Sequence, residues 1–227
     1  MKVKGIIFDL DGTLIHTIED IAGAANLMFA RNGLPEHDLE YYLRYIGNGA
    51  VRLIELALGK PVPNEQLMVY VKEFKEIYAD NLHNQSSVYR GIPELLDELV
   101  SRGIRISVLS NKPHHLTKDV CDFYLSGWPF DPVLGQREEV PRKPDPAAAI
   151  EIAEGWGIPP ENILFVGDSD NDIFTAQAAG MEPVGVSWGY GRLVNEPVQG
   201  MGELIIKSDI FVSAKVPKLA NIWWLLS

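Results

Sequence analysis

Four short, nearly continuous apolar runs recur along the chain, and segments with helical periodicity separate them. A run of this kind is typical of a strand that is buried on both faces. The runs lie at residues 4–9, 104–109, 163–166 and 183–186. Strands that alternate with helices predict an α/β fold with a Rossmann-like core built on a mainly parallel sheet. A further helix is predicted near the end of the chain, at residues 216–225.

The segment between the first two strands has a different pattern, with apolar residues at helical spacing and no convincing strand. The first of its four predicted helices would begin at Thr17, with Asp20 as the partner in a near capping box. We interpret residues 16–87 as an all-helical cap domain. It would be inserted into an α/β core that comprises residues 1–15 and 88–227.

Composition and charge narrow the classes of function. The 227-residue chain is 46% hydrophobic and 22% charged, as an ordinary globular protein is. Its net charge of −11 argues against a nucleic-acid partner, because binding to a phosphate backbone needs a basic surface. The same charge disfavours an anionic membrane surface. Cys121 is the only cysteine, and neither a signal peptide nor a membrane-spanning run is evident, so we expect a cytoplasmic protein.

The strongest chemical motif is IIFDLDGTL, which ends the first predicted strand. Asp9 and Asp11 are two residues apart, so in extended chain both would face one pocket, at the strand end where open α/β sheets bind ligands. Two such carboxylates repel each other unless a cation lies between them, which predicts a divalent metal. Gly12 permits a sharp turn, and Thr13 offers a hydroxyl and an amide to a phosphate oxygen. The alternative is an ordinary Asp-Gly turn with capping residues.

Two further motifs could bind an anion. Ser110 ends the second apolar strand and Asn111 begins the turn that follows, where a hydroxyl and backbone amides can hold a phosphate. Lys143 lies just before a helix start at Asp145 and Pro146, so its ammonium would stand at that junction. Taken singly, the residues at Ser110 and Asn111 are also typical of an ordinary turn, and Lys143 could be a solvated surface lysine.

The fourth motif, ILFVGDSDND, places Asp168, Asp170 and Asp172 after another buried strand. Carboxylates of this kind suit Mg²⁺, which takes one or two of them together with substrate phosphate. The three acids could instead cap the next helix. A calcium loop is disfavoured, because the spaced glycine and distal glutamate of an EF-hand are absent. Three of the four motifs are ambiguous alone, but their order and their positions at strand ends point to one site.

With these motifs the chain resembles the haloacid dehalogenase superfamily of phosphatases, and within it the phosphoglycolate-phosphatase-like branch. The resemblance covers essentially the whole chain. The four family motifs match Asp9–Thr13, Ser110, Lys143 and Gly167–Asp172. The segment GVSWGYG, residues 185–191, is similar to the stretch that follows the last motif in that branch.

The resemblance implies a magnesium-dependent phosphomonoester hydrolase that acts through an aspartyl-phosphate. Asp9 would be the nucleophile, and Asp11 would protonate the leaving oxygen and later activate water. Mg²⁺ would be held by Asp9, by the backbone carbonyl of Asp11 and by Asp168, and Asp172 would support that site. The transferring oxygens would be bound by Thr13, Ser110, Asn111 and Lys143.

The cap loop Gly47-Asn48-Gly49 and the following Arg52 are similar to the cap loop of the same branch. We expect this loop to supply specificity, with Arg52 reaching a carboxylate or second anionic group of a small phosphorylated metabolite. Phosphoglycolate is the leading candidate. The alternative is that Arg52 is a solvated helix residue. The chain departs from the branch where the cap returns to the core, because Arg90 replaces a proline there, and this puts the hinge and the specificity in question.

Two other functions remain open at this point. A phosphosugar mutase on the same scaffold would return the phosphoryl group to a sugar instead of releasing it to water. A catalytically idle binding module would keep the fold without turnover, since fold does not fix function. The sequence gives no reading of the oligomeric state.

Overall fold

The computed structural model describes residues 3–191 and, beyond them, the backbone of two short strands at residues 204–206 and 211–212. The helix predicted at residues 216–225 lies outside the described residues. Among the helices that are described, none combines the length and the apolar character needed to cross a membrane.

The described residues contain nine strands and eight α-helices. The strands are β1 (Gly5–Phe8), β2 (Ile15–His16), β3 (Ser87–Val88), β4 (Arg105–Pro113), β5 (Phe130–Gln136), β6 (Ile163–Gly167), β7 (Glu182–Val186), β8 (Leu204–Ile206) and β9 (Phe211–Val212). The helices are α1 (Ile18–Arg31), α2 (Leu39–Leu43), α3 (Ala50–Ala57), α4 (Asn64–Asp80), α5 (Ile92–Ser101), α6 (His114–Tyr124), α7 (Ala147–Trp156) and α8 (Asp170–Ala179).

Seven of the strands form the core sheet, in the order β5-β4-β1-β6-β7-β8-β9. The first five in this order are parallel, and β8 and β9 extend the sheet in antiparallel fashion. The central strand β1 pairs on both sides, so that Ile7 lies opposite Ser107 of β4 and Phe165 of β6. The predicted α/β fold with a mainly parallel sheet is confirmed.

Helices cover both faces of this sheet. Ile6 and Phe8 of β1 belong to one apolar cluster, together with Leu96 of α5 and Val120 of α6. Ile7, which points to the other face, belongs to a second cluster with residues of α7 and α8. Because both faces of β1 are buried, its sequence is a continuous apolar run. Burying each such side chain contributes about 1.5–3 kcal/mol.

Among the five parallel strands, two differ from the sequence-based expectation. β4 does not end at Leu109 but continues to Pro113, so Ser110 and Asn111 of the second motif lie within the strand. β5 was not predicted, because its sequence FDPVLGQ contains a proline and mostly half-buried residues. A proline and half-buried residues are tolerated in a strand at the edge of a sheet, because one side of that strand forms no backbone hydrogen bonds with a neighbouring strand.

The insert folds as the helices α1–α4 and joins the core through a ribbon in which Ile15 of β2 pairs with Val88 of β3. The predicted capping box at Thr17 and Asp20 is wrong. The buried Asp20 carboxylate instead accepts hydrogen bonds from the backbone amides of Gln85 and Ser86, each at 2.9 Å, and from the Ser86 hydroxyl at 2.6 Å. Asp20 therefore ties the beginning of the cap to its end.

Candidate active site

Three neighbouring parallel strands, β4, β1 and β6, end at the same edge of the sheet. Asp9 follows β1, Asp168 follows β6, and Ser110 lies in the extended end of β4. Since β1 lies between the other two strands, the pairing alone brings three of the four motifs to one place. All three residues are buried there, as is Lys143 from the remaining motif.

Lys143 lies at the centre of this cluster, with a side chain that is 3% exposed. Its Nζ donates to Oδ1 of Asp9 at 2.7 Å, to Oδ1 of Asp172 at 2.6 Å and to the carbonyl of Leu109 at 2.9 Å. These contacts use all three donors of the ammonium. Burial opposes the charge, but Asp172 and Asp9 outweigh it and raise the pKa of Lys143 above its ordinary value. The alternative of a solvated surface lysine is wrong.

Three buried carboxylates lie close together around this ammonium, and two of them contact it. Asp9, Asp168 and Asp172 each offer an oxygen, and these oxygens lie within 4.8 Å of one another. Burial raises the pKa of Asp9 to about 8, against the attraction of Lys143 and with added repulsion from Asp172. Burial and the charge of Asp172 likewise raise the pKa of Asp168 to about 6. With three carboxylates and one ammonium, the cluster has an excess of acidic groups, and their hard oxygen donors fit a divalent cation such as Mg²⁺.

The two aspartates of the fourth motif are held differently. Asp172 forms the capping box of α8, since its Oδ2 accepts from the Ser169 amide at 3.0 Å and from the Ser169 hydroxyl at 2.7 Å. Oδ2 of Asp168 accepts from the amides of Tyr190 at 2.6 Å and Gly191 at 3.0 Å, and its Oδ1 makes no hydrogen bond with the described residues. Asp168 can therefore offer an oxygen to a metal, whereas both oxygens of Asp172 are engaged.

Asp11 lies beside this cluster and has a cation of its own. Nζ of Lys112 lies 2.9 Å from its Oδ1 and 3.2 Å from its Oδ2, and Oγ1 of Thr17 donates to Oδ1 at 2.8 Å. Lys112 is not evident as a site residue from the sequence, because Asn111, Lys112 and Pro113 have the composition of a turn. The available signal was its spacing of two residues from Ser110, which places both side chains on one side of β4.

The predicted phosphate ligands occupy distinct positions. Ser110 lines the cavity described below, and its Oγ accepts from the amide of Lys112 at 3.2 Å. The Asn111 amide pairs with the backbone of Lys143 at 2.9 and 3.1 Å, so it positions that residue. Thr13 is buried outside the cavity lining, and its hydroxyl has no hydrogen-bond partner among the described residues. Contacts of these side chains with a phosphate stay a prediction.

A cavity of about 60 Å³ separates these core residues from the cap. This volume holds about four water molecules, so the space suits a small ligand. The core contributes charged and polar groups to the lining, whereas the cap contributes mainly apolar ones. The apolar lining residues of the cap are Ile21, Ile46, Ala50, Leu53 and Phe74.

The cap loop at residues 47–49 closes this cavity against the core. Nδ2 of Asn111 donates to the carbonyl of Gly47 at 3.0 Å, and Nη1 of Arg142 donates to the carbonyl of Asn48 at 2.8 Å. Gly49 has a φ of +80°, and an added Cβ would lie 3.3 Å from Arg142. Sequence analysis missed Arg142, although it precedes the lysine of the third motif.

Arg52 is outside the cavity lining. Its side chain is 49% exposed and pairs with Glu55 at 2.6 Å on the same helix. Arg90 is exposed as well, directly before the first turn of α5. The arrangement matches the alternative in which Arg52 is a solvated helix residue, and it does not support a clamp on the substrate.

Comparisons with known proteins agree with the geometry. The profile of the haloacid dehalogenase-like hydrolase family matches residues 6–186. A phosphoglycolate phosphatase of Mannheimia succiniciproducens is 38% identical over 196 residues, which cover 83% of this chain and 88% of that protein. Phosphoglycolate phosphatase 1 of Pseudomonas aeruginosa is 35% identical over 198 residues, which cover 84% of this chain and 72% of that protein.

Solved structures show the same relationship. A crystal structure of a predicted phosphoglycolate phosphatase from Haemophilus somnus matches with a TM-score of 0.78 and 31% identity, over 86% of this chain and 89% of that chain. The chain therefore belongs to the haloacid dehalogenase-like hydrolase family, in its phosphoglycolate-phosphatase-like branch of phosphatases.

Proposed function

We propose that this protein hydrolyses a small phosphomonoester through an aspartyl-phosphate on Asp9, with phosphoglycolate as the leading substrate. The observation that carries the proposal is the contact of Lys143 with both Asp9 and Asp172 on the floor of the cavity. That contact holds the Asp9 carboxylate beside the Lys143 ammonium. Such an arrangement suits phosphoryl transfer, because positioning and charge neutralisation dominate that reaction. The substrate comes from the two relatives that are named phosphoglycolate phosphatases.

In the first step, a carboxylate oxygen of Asp9 attacks phosphorus in line with the leaving oxygen. The bond from phosphorus to the leaving oxygen breaks, and its electron pair stays on that oxygen. Asp11, which lines the same cavity, transfers a proton to it, so that an alcohol departs. Ser110, which lines the cavity, would donate a hydrogen bond to an oxygen of the transferring group, and the ammonium of Lys143 would offset its negative charge.

In the second step, a water molecule attacks the phosphorus of the aspartyl-phosphate. Asp11, now ionised, takes a proton from that water, and the bond from phosphorus to Asp9 breaks. Inorganic phosphate leaves, Asp9 is a carboxylate again, and Asp11 holds the proton that it needs for the next cycle. One difficult displacement is thus divided into two easier ones.

The carboxylates fit a resident Mg²⁺. Asp9 and Asp168 would hold it, the backbone carbonyl of Asp11 would be a further ligand, and Asp172 would support the site through Lys143. Bound there, the ion would neutralise charge between Asp9 and the oxygens of the phosphoryl group.

The test is release of inorganic phosphate from phosphoglycolate, with and without Mg²⁺. We expect Asp9→Asn to reduce turnover by more than about 10³-fold. The matched control is Asp170→Asn, because Asp170 begins α8 but contributes none of the three clustered oxygens. Hydroxylamine added during turnover should convert Asp9, and no other aspartate, into a hydroxamate. Near-normal turnover by Asp9→Asn would refute the mechanism.

The alternatives predict other outcomes of the same screen. A phosphosugar mutase would interconvert glucose phosphates with little release of inorganic phosphate, and a catalytically idle module would show no turnover of any phosphometabolite. We also propose a cytoplasmic location and no nucleic-acid partner, on the basis of the single cysteine and the net charge of −11.

A further inference from the structure

A second buried lysine stands in the cavity, together with a tyrosine from the cap. Nζ of Lys112 lies 2.5 Å from the hydroxyl of Tyr78 and 4.5 Å from the centre of its ring. Both residues line the cavity, and the side chain of Lys112 is only 4% exposed. The pair joins the core strand β4 to the cap helix α4, so it exists only when the cap lies against the core.

The chemistry of the two groups fixes the direction of this hydrogen bond. An ammonium has donors and no acceptor, so the Tyr78 oxygen accepts from Lys112 and keeps its own hydrogen to donate. No acceptor for that hydrogen is found among the described residues. Burial, together with the charges of Asp11 and Asp20, raises the pKa of Tyr78, so the hydroxyl stays protonated. The Tyr78 hydroxyl, polarised by the ammonium of Lys112, is therefore a hydrogen-bond donor in the lining of a small cavity.

Among the charged groups that line the cavity, Lys112 with its partner Tyr78 is the one that favours a second anion. Asp9 and Asp11 would repel one, and the donors of Lys143 are taken by Asp9, Asp172 and a carbonyl. Arg52, the cation that sequence analysis favoured, is outside the lining.

We propose that the Tyr78 hydroxyl, backed by Lys112, receives the carboxylate of a short phosphorylated acid whose phosphoryl group lies at Asp9. This inference rests on the proposed function and names the residues that bind the carboxylate of its substrate. The carboxylate accepts the free hydrogen of Tyr78, while Lys112 stays between it and Asp11 and offsets both negative charges. The cap side of the lining is mainly apolar, so an acid with a further polar group would lose hydrogen bonds there.

The experiment compares phosphoglycolate with ethyl phosphate, which has a similar length and an alkoxide leaving group but no carboxylate. The measured quantity is the ratio of kcat/KM for the two substrates. Tyr78→Phe removes only the hydroxyl, and we expect it to lower this ratio about tenfold to a hundredfold, mainly through KM for phosphoglycolate. Tyr70→Phe, on the same helix but outside the cavity lining, should leave the ratio unchanged.

Lys112→Met provides a second reading. This variant should lower the same ratio of kcat/KM values. A lower kcat/KM for ethyl phosphate would report the loss of the separate contact between Lys112 and Asp11. An unchanged ratio in Tyr78→Phe would overturn the inference, as would a selective loss in Arg52→Ala or a wild-type enzyme with equal kcat/KM for both esters. A wild-type protein that hydrolyses neither ester would instead refute the proposed function itself.

Discussion

The backbone amide of Tyr190 donates to Oδ2 of Asp168 at 2.6 Å, so the segment after β7 holds an acid of the candidate metal site. The hydroxyl of the same tyrosine accepts from the amides of Thr17 at 2.5 Å and Ile18 at 3.1 Å, at the first turn of α1. One residue thus connects the carboxylate cluster to the entrance of the cap. The first turn of a helix has amides without helical partners, and Tyr190 satisfies two of them.

Removing the hydroxyl of Tyr190 should weaken this connection. We expect Tyr190→Phe to lower the free energy of unfolding by about 1–3 kcal/mol, because buried amides lose their acceptor. Urea denaturation followed by circular dichroism measures the change, with Tyr70→Phe as the control. An effect no larger than that of the control would show that water replaces the hydroxyl without loss.

Lys143→Met should be among the most destabilising single substitutions in the core. It leaves Asp9 and Asp172 buried without their shared cation, and breaking a buried ion pair in this way costs about 3–5 kcal/mol. Lys72→Met, which replaces a lysine with a side chain that is 79% exposed, is the control. If both variants unfold at the same urea concentration, the carboxylates must find compensation elsewhere.

Asp20→Ala should loosen the closure of the cap. Two backbone amides and the Ser86 hydroxyl would lose their acceptor, and we expect a loss of about 2–3 kcal/mol. Hydrogen exchange at Gln85 and Ser86 should accelerate at the same time. Asp119→Ala, at an exposed position of α6, is the control. Unchanged exchange at the linker would contradict the role assigned to Asp20.

Gly12→Ala should displace Asp168. Gly12 has a φ of +86°, and an added Cβ would overlap Oδ2 of Asp168 and lie 2.9 Å from the ring of Tyr190. The strained backbone and the overlap together should cost more than about 2 kcal/mol. Gly23→Ala, at an open helical position, should instead gain about 1 kcal/mol. Equal unfolding midpoints for the two variants would refute this reading of the first motif.

The metal-free protein should lose stability as the pH rises. Folding raises the pKa of Asp9 from 3.8 to about 8 and that of Asp168 from 3.8 to about 6, so the folded state binds their protons more tightly than the unfolded state. These two carboxyl groups therefore favour the folded state most when the pH is below their pKa in the unfolded state. That contribution is lost as the pH rises through their pKa values in the folded state. We expect the free energy of unfolding to fall between about pH 4 and about pH 8 without metal, and Mg²⁺ to restore most of it.

The control for this prediction is Asp9→Asn, which cannot ionise at that position. Its free energy of unfolding should change less over the same pH range, and Mg²⁺ should stabilise it less. A pH dependence identical to that of the wild-type protein would show that other groups cause the loss.

Local sequence was sufficient wherever one segment carries both the pattern and its consequence. The continuous apolar run of β1 requires burial on both faces, and the acids that follow it must then stand at the sheet edge. α8 ends at Gly180, which adopts a φ of +72°, a left-handed conformation that favours glycine. β5 escaped prediction because an edge strand needs no continuous apolar run, and its place is set by pairing with β4.

The sequence by itself determined the α/β core, the helical insert and the four motifs, because periodicity and strand-end chemistry are local properties. Only the tertiary structure decided that Arg52 lies on the surface, that Asp20 bonds the returning linker and that Lys112 meets Asp11 and Tyr78. These contacts join residues far apart in the chain, such as Tyr78 and Lys112. Their partners depend on how the cap is set against the core, which no local pattern encodes.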